Sequence, residues 1–341
     1  MNHVSTTARA AAAALAVLLA GSPLSAQTPK PAPKATTAKV SLTPDGHPDL
    51  QGVWTNATLT PMQRPAAFAG KATVSEAEAT AYEKKDLSVN DIDKPDAPLL
   101  AAAGSGSGAT AVGGYNNLFM DRGSELAKVD GVKRTSLIVD PADGKVPPIT
   151  PEARKRNGAM RMTGMRFDNV KDRPLSERCI VGFGSTSGPP MLPVLYNNNY
   201  QIVQTPGTVM ILVEMDHDAR IVRMNGTHPP KSVHQWLGDS IGHWDGDTLV
   251  VDTTNFTNET RFAGSSEDLH VVERFRRIDA NTILYKATID DPTTFTSVWT
   301  MEFPFVRTAG PVYEYACHEG NYAMTDILGG ARKLENETKP K

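Results

Sequence analysis

The stretch "YEYACHEGNY" (313–322) holds a thiol, an imidazole, a carboxylate and an amide within five positions, Cys317, His318, Glu319 and Asn321, with Tyr322 next. Three chemistries use such a set: a nucleophile with its base, part of a metal site, or a disulfide anchor beside polar neighbours. Cysteine usage separates them. Cys179 and Cys317 are the only two cysteines, and an even pair in a chain that carries an export leader reads first as a disulfide. Such a bridge needs Cα atoms about 5.5–6 Å apart. It removes at most ~4–5 kcal/mol of loop entropy from the unfolded chain. It would also hold Arg178, His318 and Glu319 together, beside the loop around Asn197–Asn199. In that arrangement His318 or Glu319 serves as general base and Arg178 stabilises an oxyanion. Asn199 and Tyr322 then border the substrate. A structural alternative stands beside this one: Asn321 and His318 satisfy backbone groups where the last strand ends.

Strand alternation supplies the other acid–base candidates. In "TLVVDTTNF" (248–256), Asp252 shares a face with Thr248, Val250 and Thr254, because side chains alternate along a strand. In "LHVVERFRRI" (269–278), Glu273 shares a face with Val271, Phe275 and Arg277, while His270, Val272, Arg274 and Arg276 lie opposite. These faces either look at water or line a polar lumen over a bound molecule. "VHQWLGDSIGHWDGDTL" (233–249) adds Trp236 and Trp244, flat walls suited to an aromatic or sugar ring. Trp244 reads equally as a core plug, and Asp245-Gly246 as a hairpin turn. His217, between two aspartates in "MDHDAR", joins the acid–base candidates, and Arg220 joins Arg178 as a partner for anions.

Several chemistries are excluded by pattern. There is no Gly-x-Ser-x-Gly elbow, Walker loop or dinucleotide fingerprint, so no organic cofactor is expected. His318-Glu319 opens like a zincin helix, but Tyr322 stands where the second histidine belongs and Gly320 disfavours the helix. No histidine pair has a diagnostic metal spacing, so no metal site is assigned. A net charge of −3, with acidic and basic residues interspersed, gives no reason to expect nucleic acid or an anionic membrane as partner.

The elements that position these residues come from the second half of the chain. After Tyr200 the sequence breaks into runs rich in β-branched and aromatic residues: "QIVQT", "VMILVEM", "ARIVRM", "TLVVDTTNF", "HVVERFRRI", "TILYKATI", "FTSVWTMEF" and "VYEYAC". Turn signals at Pro206-Gly207, Asn225-Gly226, Asp245-Gly246 and Gly310-Pro311 separate them. Most links are too short for a parallel crossover. The expectation is a mainly β fold, an antiparallel up-and-down meander of about eight strands over 200–330 that closes into a barrel. Residues 49–199 form an irregular segment around it with two short helices. One spans 75–87, with Ser75 and Glu78 spaced as a capping box; the other spans 150–162, with Thr150 as cap and Pro151 in first position. Residues 331–341 read as a disordered tail. The low-complexity "AAAGSGSGATAVGG" (101–114) has no strand–glycine–helix context for holding phosphate.

The opening 26 residues combine Arg9, an apolar core from Ala10 to Ala20 and a small-residue "LSA" end. That is a secretory signal peptide with cleavage after Ala26, followed by a Pro- and Lys-rich tether over 27–48. Neither the leader nor any later run is long enough to span a bilayer, so a periplasmic or secreted protein without a membrane span is expected.

"LQGVW" (50–54) resembles the lipocalin signature, in which the tryptophan plugs one end of a barrel. The set "PDLQGVW", "GPPMLP", "NNNYQIVQTP", "MDHDARIVRMNG", "QWLGDSIGHWDGDTLVVDTTNF" and "YEYACHEGNY" resembles an uncharacterised family of secreted bacterial proteins, over most of the mature chain. That resemblance implies export and brings no activity with it. From the residues themselves, the expected function is an exported, cofactor-independent enzyme of lyase, isomerase or hydratase type. It acts on a small hydroxylated or aromatic molecule through His217, Asp252, Glu273, His318 and Glu319. The alternative is a periplasmic, lipocalin-like carrier of a small molecule.

Overall fold

The structure, a computed structural model, describes residues 40–89, 121–163, 166–259 and 262–338. The expected leader (1–26), the tether up to residue 39 and the segment 101–114 lie outside these. The strands, in chain order, are β1 (Gly52–Thr55), β2 (Thr73–Val74), β3 (Lys128–Val129), β4 (Val132–Arg134), β5 (Ile138–Asp140), β6 (Asn199–Gln204) and β7 (Thr208–Val213). They continue as β8 (Ala219–Met224), β9 (Asp239–Asp245), β10 (Thr248–Thr254), β11 (His270–Asp279), β12 (Thr282–Asp290) and β13 (Trp299–Arg307). The helices are α1 (Glu76–Val89), α2 (Pro151–Thr163) and α3 (Ala323–Thr338).

Nine strands close into a barrel in the order β1-β6-β7-β8-β9-β10-β11-β12-β13, with β1 pairing back onto β13. β5 adds to β13 as a flank, and β2, β4 and β3 form a separate small sheet. Closure leaves no free edge in the ring. The expected meander is therefore present, with two differences. "VYEYAC" is irregular, and its place in the ring is taken by "DSIGHWD", which is β9. The second difference is that β8 and β9 run parallel, in the register Val222↔Ser240 and Met224↔Gly242. The link between them, 225–238, is the long crossover that parallel pairing requires.

The irregular N-terminal half carries the two expected helices. Ser75 and Glu78 form the capping box, Glu78 N–H donating to Ser75 Oγ at 3.3 Å and Ser75 N–H to Glu78 Oε2 at 3.0 Å. Ala153 N–H donates to Thr150 Oγ1 at 3.0 Å ahead of α2. Two segments depart from expectation. Residues 40–48, read as the end of a tether, fold onto the barrel. A turn bonds Thr43 to His47, and the His47 ring stacks on Trp244 with centroids 4.6 Å apart. The segment read as a disordered tail is helical as far as Thr338. Its Ala, Arg, Lys, Leu and Glu content favours helix, and Asn321 Oδ1 accepts from Ala323 N–H at 3.1 Å at its start.

The barrel interior is filled. Trp54, Tyr200, Phe275, Tyr285, Phe303 and Phe305 are all fully buried in one cluster with the aliphatic inner faces of the strands. Each such side chain contributes roughly 1.5–3 kcal/mol by leaving water. Trp54 plugs one end, its Nε1–H donating to Leu50 O at 2.9 Å, with the Arg307 guanidinium 4.5 Å from the ring centroid. Gly52 makes this contact possible: its φ is +129°, and a Cβ there would lie 2.5 Å from Arg307 Nη1.

One ion pair crosses this apolar interior. Arg220 on β8 donates to both carboxylate oxygens of Glu273 on β11, at 3.1 and 2.5 Å, and both side chains are buried. Tyr285 Oη donates to Glu273 Oε1 at 2.8 Å and accepts from Met191 N–H at 3.0 Å. Burial and the Glu273 charge push the Tyr285 phenol well up. Burial works against the Arg220 charge, but Glu273 outweighs it and moves that pKa up. Glu273 is thus an interior residue whose oxygens are committed to protein partners.

Breaking a buried pair leaves an uncompensated charge and costs about 3–5 kcal/mol. Glu273→Ala is expected to lower unfolding stability by that amount in urea titration, whereas Arg220→Met combined with Glu273→Leu recovers most of it. A loss below ~1 kcal/mol for the single variant would show that Arg220 finds other partners. Cys179 and Cys317 are bonded, with Cα atoms 5.8 Å apart, so thiol titration of denatured, non-reduced protein is expected to find no free thiol.

Candidate functional site

The crossover 225–238 carries the site. Pro229-Pro230 prevents it from forming helix or strand, and Asn255 fastens it from β10's end, its Nδ2 donating to Pro229 O and Pro230 O at 3.2 Å each. Gln235 bonds in parallel to the same segment, its N–H donating to Asn255 O at 2.9 Å. The crossover therefore lies over the outer face of β9, β10 and β11, and it sets His228 among side chains from all three strands.

Four residues form an alternating chain of carboxylate and imidazole. His228 Nδ1 lies 2.7 Å from Asp239 Oδ2, and its Nε2 lies 3.0 Å from Asp252 Oδ1. His270 Nε2 lies 2.9 Å from Asp252 Oδ2. Asp252 pairs with Val272 across β10 and β11, so His270, two residues before Val272, is its diagonal neighbour, within reach of a long side chain. Arg223 Nη2 also donates to Asp239 Oδ2, at 2.9 Å. Asp239 is 3% exposed, while the side chains of His228, Asp252 and His270 are 22, 33 and 37% exposed. The chain runs from a buried end to a solvent end.

Electrostatics follow this order. Burial acts to raise the Asp252 carboxyl, but the His270 and His228 hydrogen bonds and charges win and hold it below its usual value. The hydrogen bond to Asp252 raises His270, against the opposing effect of its own burial. An imidazole linked to a carboxylate and open to water can take up and release a proton near neutrality.

Next to the chain is a cleft of about 690 Å³, lined by Arg223, His234, Gln235, Trp236, Asp239 and Asp218 among others. Asp239 belongs to both cleft and chain. Trp236 is 38% exposed and forms a flat wall there. Among the described residues, no group of three or more His, Cys, Asp or Glu side chains is arranged to hold a metal ion.

The residues singled out in the sequence separate into three places. Asp252 is in the outer chain and Trp236 in the cleft. Glu273 and Arg220 are paired inside the barrel, and Trp244 packs against the core under His47. The rest lie at the barrel mouth, where the disulfide joins the 170s segment to 313–322. There His217 is exposed with Nδ1 3.3 Å from Tyr315 O, and Arg178 lies 3.6 Å from Glu259. His318 and Glu319 are exposed, Tyr322 is 71% exposed, and Asn199 Nδ2 donates to Glu214 Oε2 at 2.7 Å. Thus Asp252, Glu273, His217 and His318 do not converge on one pocket. Alternation along the strands placed His270 opposite Glu273, but His228 and Asp239 were not selected. The diagonal relation of His270 to Asp252 follows from the observed β10–β11 register, which the long 255–269 link between the strands does not reveal in the sequence.

No protein-family model, no curated protein and no solved structure matches the chain.

The charged pair gives a pH signature. His270, with its pKa raised on folding, contributes stability that is complete below its unfolded pKa near 6.5 and is lost as pH rises through the folded value. Asp252, with its pKa lowered, contributes stability that is complete above about 3.9 and is lost as pH falls through the folded value. The stability difference between wild type and Asp252→Asn is therefore expected to be greatest between roughly pH 4 and 6.5 and to shrink on either side. Urea unfolding of both proteins across pH 3–9 measures it, and a flat difference would mean that the pair does not couple.

Proposed function

We propose that the protein is an exported, cofactor-independent enzyme that moves protons on a small hydroxylated or aromatic molecule bound in the outer cleft, with lyase, isomerase or hydratase chemistry. The observation that carries this reading is the position of Asp239, which belongs both to the cleft lining and to the Asp239–His228–Asp252–His270 chain. Trp236 stacks against the flat face of the substrate, and Arg223 meets a developing negative charge at the rim. Asp239, the member of the chain that lines the cleft, exchanges a proton with the substrate, and His228, whose two nitrogens face Asp239 and Asp252, relays that proton. His270, at the solvent end, restores its protonation state through Asp252. The export part of the reading rests on the leader-like N-terminus, with the Cys179–Cys317 bond in support. No helix among the described residues is long and apolar enough to cross a membrane.

A carrier of lipocalin type is the second reading, supported by the closed barrel and by Trp54 at its plugged end. Such a carrier holds its ligand inside the barrel, where this chain places packed aromatic side chains. That difference favours the outer cleft.

The test is a panel of hydroxylated aromatic and sugar-derived compounds, followed by mass spectrometry for loss or gain of water and by chromatography for mass-neutral isomerisation. Turnover is expected for one chemical class, falling by about 100-fold or more in His228→Gln and in Asp252→Asn. Turnover that survives both substitutions would place the chemistry elsewhere. Ligand-dependent quenching of tryptophan fluorescence that Trp236→Ala removes, without turnover of any compound, would favour a carrier that uses the same cleft.

A further inference from the structure

A second group of reactive side chains sits at the barrel mouth, away from the outer chain. The segment 180–192 folds over the mouth, held there by Tyr200 Oη donating to Thr186 O at 3.0 Å and by Tyr285 Oη accepting from Met191 N–H at 3.0 Å. Ser187 Oγ donates to Asp218 Oδ2 in a short hydrogen bond, and Gly182 N–H donates to the same oxygen at 3.4 Å. Gly182 has to be a glycine for this approach. A Cβ there would lie 2.8 Å from both Met215 Cγ and Thr186 Oγ1 and 3.4 Å from Ser187 Oγ.

Ser187 also lines a pocket of about 280 Å³. Its lining sets Val181, Phe183, Phe256, Phe262 and Leu269 beside the polar Ser176, Ser185, Ser187 and Glu259. A serine bonded to a carboxylate and lining a pocket from a nearly buried position, 1% exposed, has the arrangement of an activated nucleophile shielded from bulk water. The loops that bear the pair are strained. Ser185, Asp216 and His217 take φ values of +63°, +59° and +47°, a region that residues with a Cβ rarely adopt. The disulfide, the interior Arg220–Glu273–Tyr285 network and the barrel end hold this geometry in place.

We propose that Ser187 and Asp218 form a nucleophile–base pair that transfers acyl groups from small esters whose apolar acyl chain binds in this pocket, with Asp218 also on the lining of the outer cleft. In the first step Ser187 Oγ forms a bond to the ester carbonyl carbon and passes its proton to Asp218. The carbon–oxygen bond to the alcohol then breaks, and Asp218 returns the proton to the leaving oxygen, which departs as the alcohol. Water gives a proton to Asp218 and attacks the acyl carbon. Ser187 Oγ leaves, recovers that proton, and the acid is released. Burial pushes the Asp218 carboxyl up, against the hydrogen bond from Ser187, which suits it to hold a proton between the two steps. The apolar walls accept the acyl chain, and the limited volume restricts it to a short one.

The deciding measurement is reaction of the full chain with a short alkyl fluorophosphonate, read by intact mass and peptide mapping. One adduct per chain at Ser187 is expected, and it needs no variant that could misfold. Hydrolysis of p-nitrophenyl butyrate is expected to fall by about 100-fold or more in Ser187→Ala and in Asp218→Asn. No adduct, or an adduct at another residue, would overturn the proposal whatever the ester rates show. So would Ser187→Ala hydrolysing the ester at the wild-type rate. The outer-cleft reading is tested on different residues, so either can fail alone.

Discussion

A closed ring with an odd number of strands cannot be antiparallel throughout. Direction must alternate at every antiparallel step, and nine steps bring the last strand back against the first with the wrong sense unless one pair runs parallel. In this barrel the parallel pair is β8–β9, in an otherwise antiparallel ring. A parallel pair cannot be joined by a tight turn, so the chain must travel the length of a strand outside the sheet. That journey is the crossover 225–238, which places His228 and Trp236 where no hairpin loop would have put them. The outer cleft is a direct consequence of the parity of the ring.

The two faces of the same strands then divide the ionisable residues by role. Inward, Arg220 and Glu273 are buried, so each must satisfy the other; Tyr285 donates to Glu273 and Ser240 accepts from Arg220 Nη2, while Arg220 Nε has no protein partner. Such a pair contributes little net stability, but it allows one arrangement of β8 against β11. It also ties the mouth segment to the barrel through Tyr285 and Met191. Outward, Asp252 and His270 stay in contact with water, and a change of protonation there costs far less. The ionisable groups that keep access to water are therefore those of the outer face.

The strands were largely legible because alternation of β-branched and aromatic residues is a local signal. α1 and α2 were legible from Ser75, Glu78, Thr150 and Pro151, whose caps are also local, whereas α3 was not. β9 was missed because Gly242, His243 and Asp245 dilute its pattern, and its pairing depends on β10 beyond the Asp245-Gly246 turn. "VYEYAC" misled in the opposite sense: its composition suits a strand, yet the ring was already closed by β1 and had no edge to offer. The faces of Asp252 and Glu273 were readable from period two, but which face was inside depended on curvature. The neighbours of Asp252 depended on register. His228 reaches it from a different part of the chain, through a crossover that the spacing of turn signals does not reveal.

The filled barrel decides what the lipocalin-like signature means in this chain. Gly52 and Trp54 plug and close one end here as in the signature, because a glycine beside a large indole lets an arginine lie across the ring. That is a solution to sealing a barrel, independent of whether the barrel is hollow. With Tyr200, Phe275, Tyr285, Phe303 and Phe305 in van der Waals reach of one another, ring centroids lie 5.0–6.0 Å apart along the chain of contacts, and no ligand can share that volume without displacing the core. A rigid, occupied barrel instead gives fixed positions to groups on its surface. The disulfide extends that rigidity to the loops at the mouth, where backbone strain at Ser185, Asp216 and His217 would otherwise relax. The geometry of both candidate sites thus depends on this interior, whose Phe256, Phe262 and Leu269 also line the pocket at the mouth.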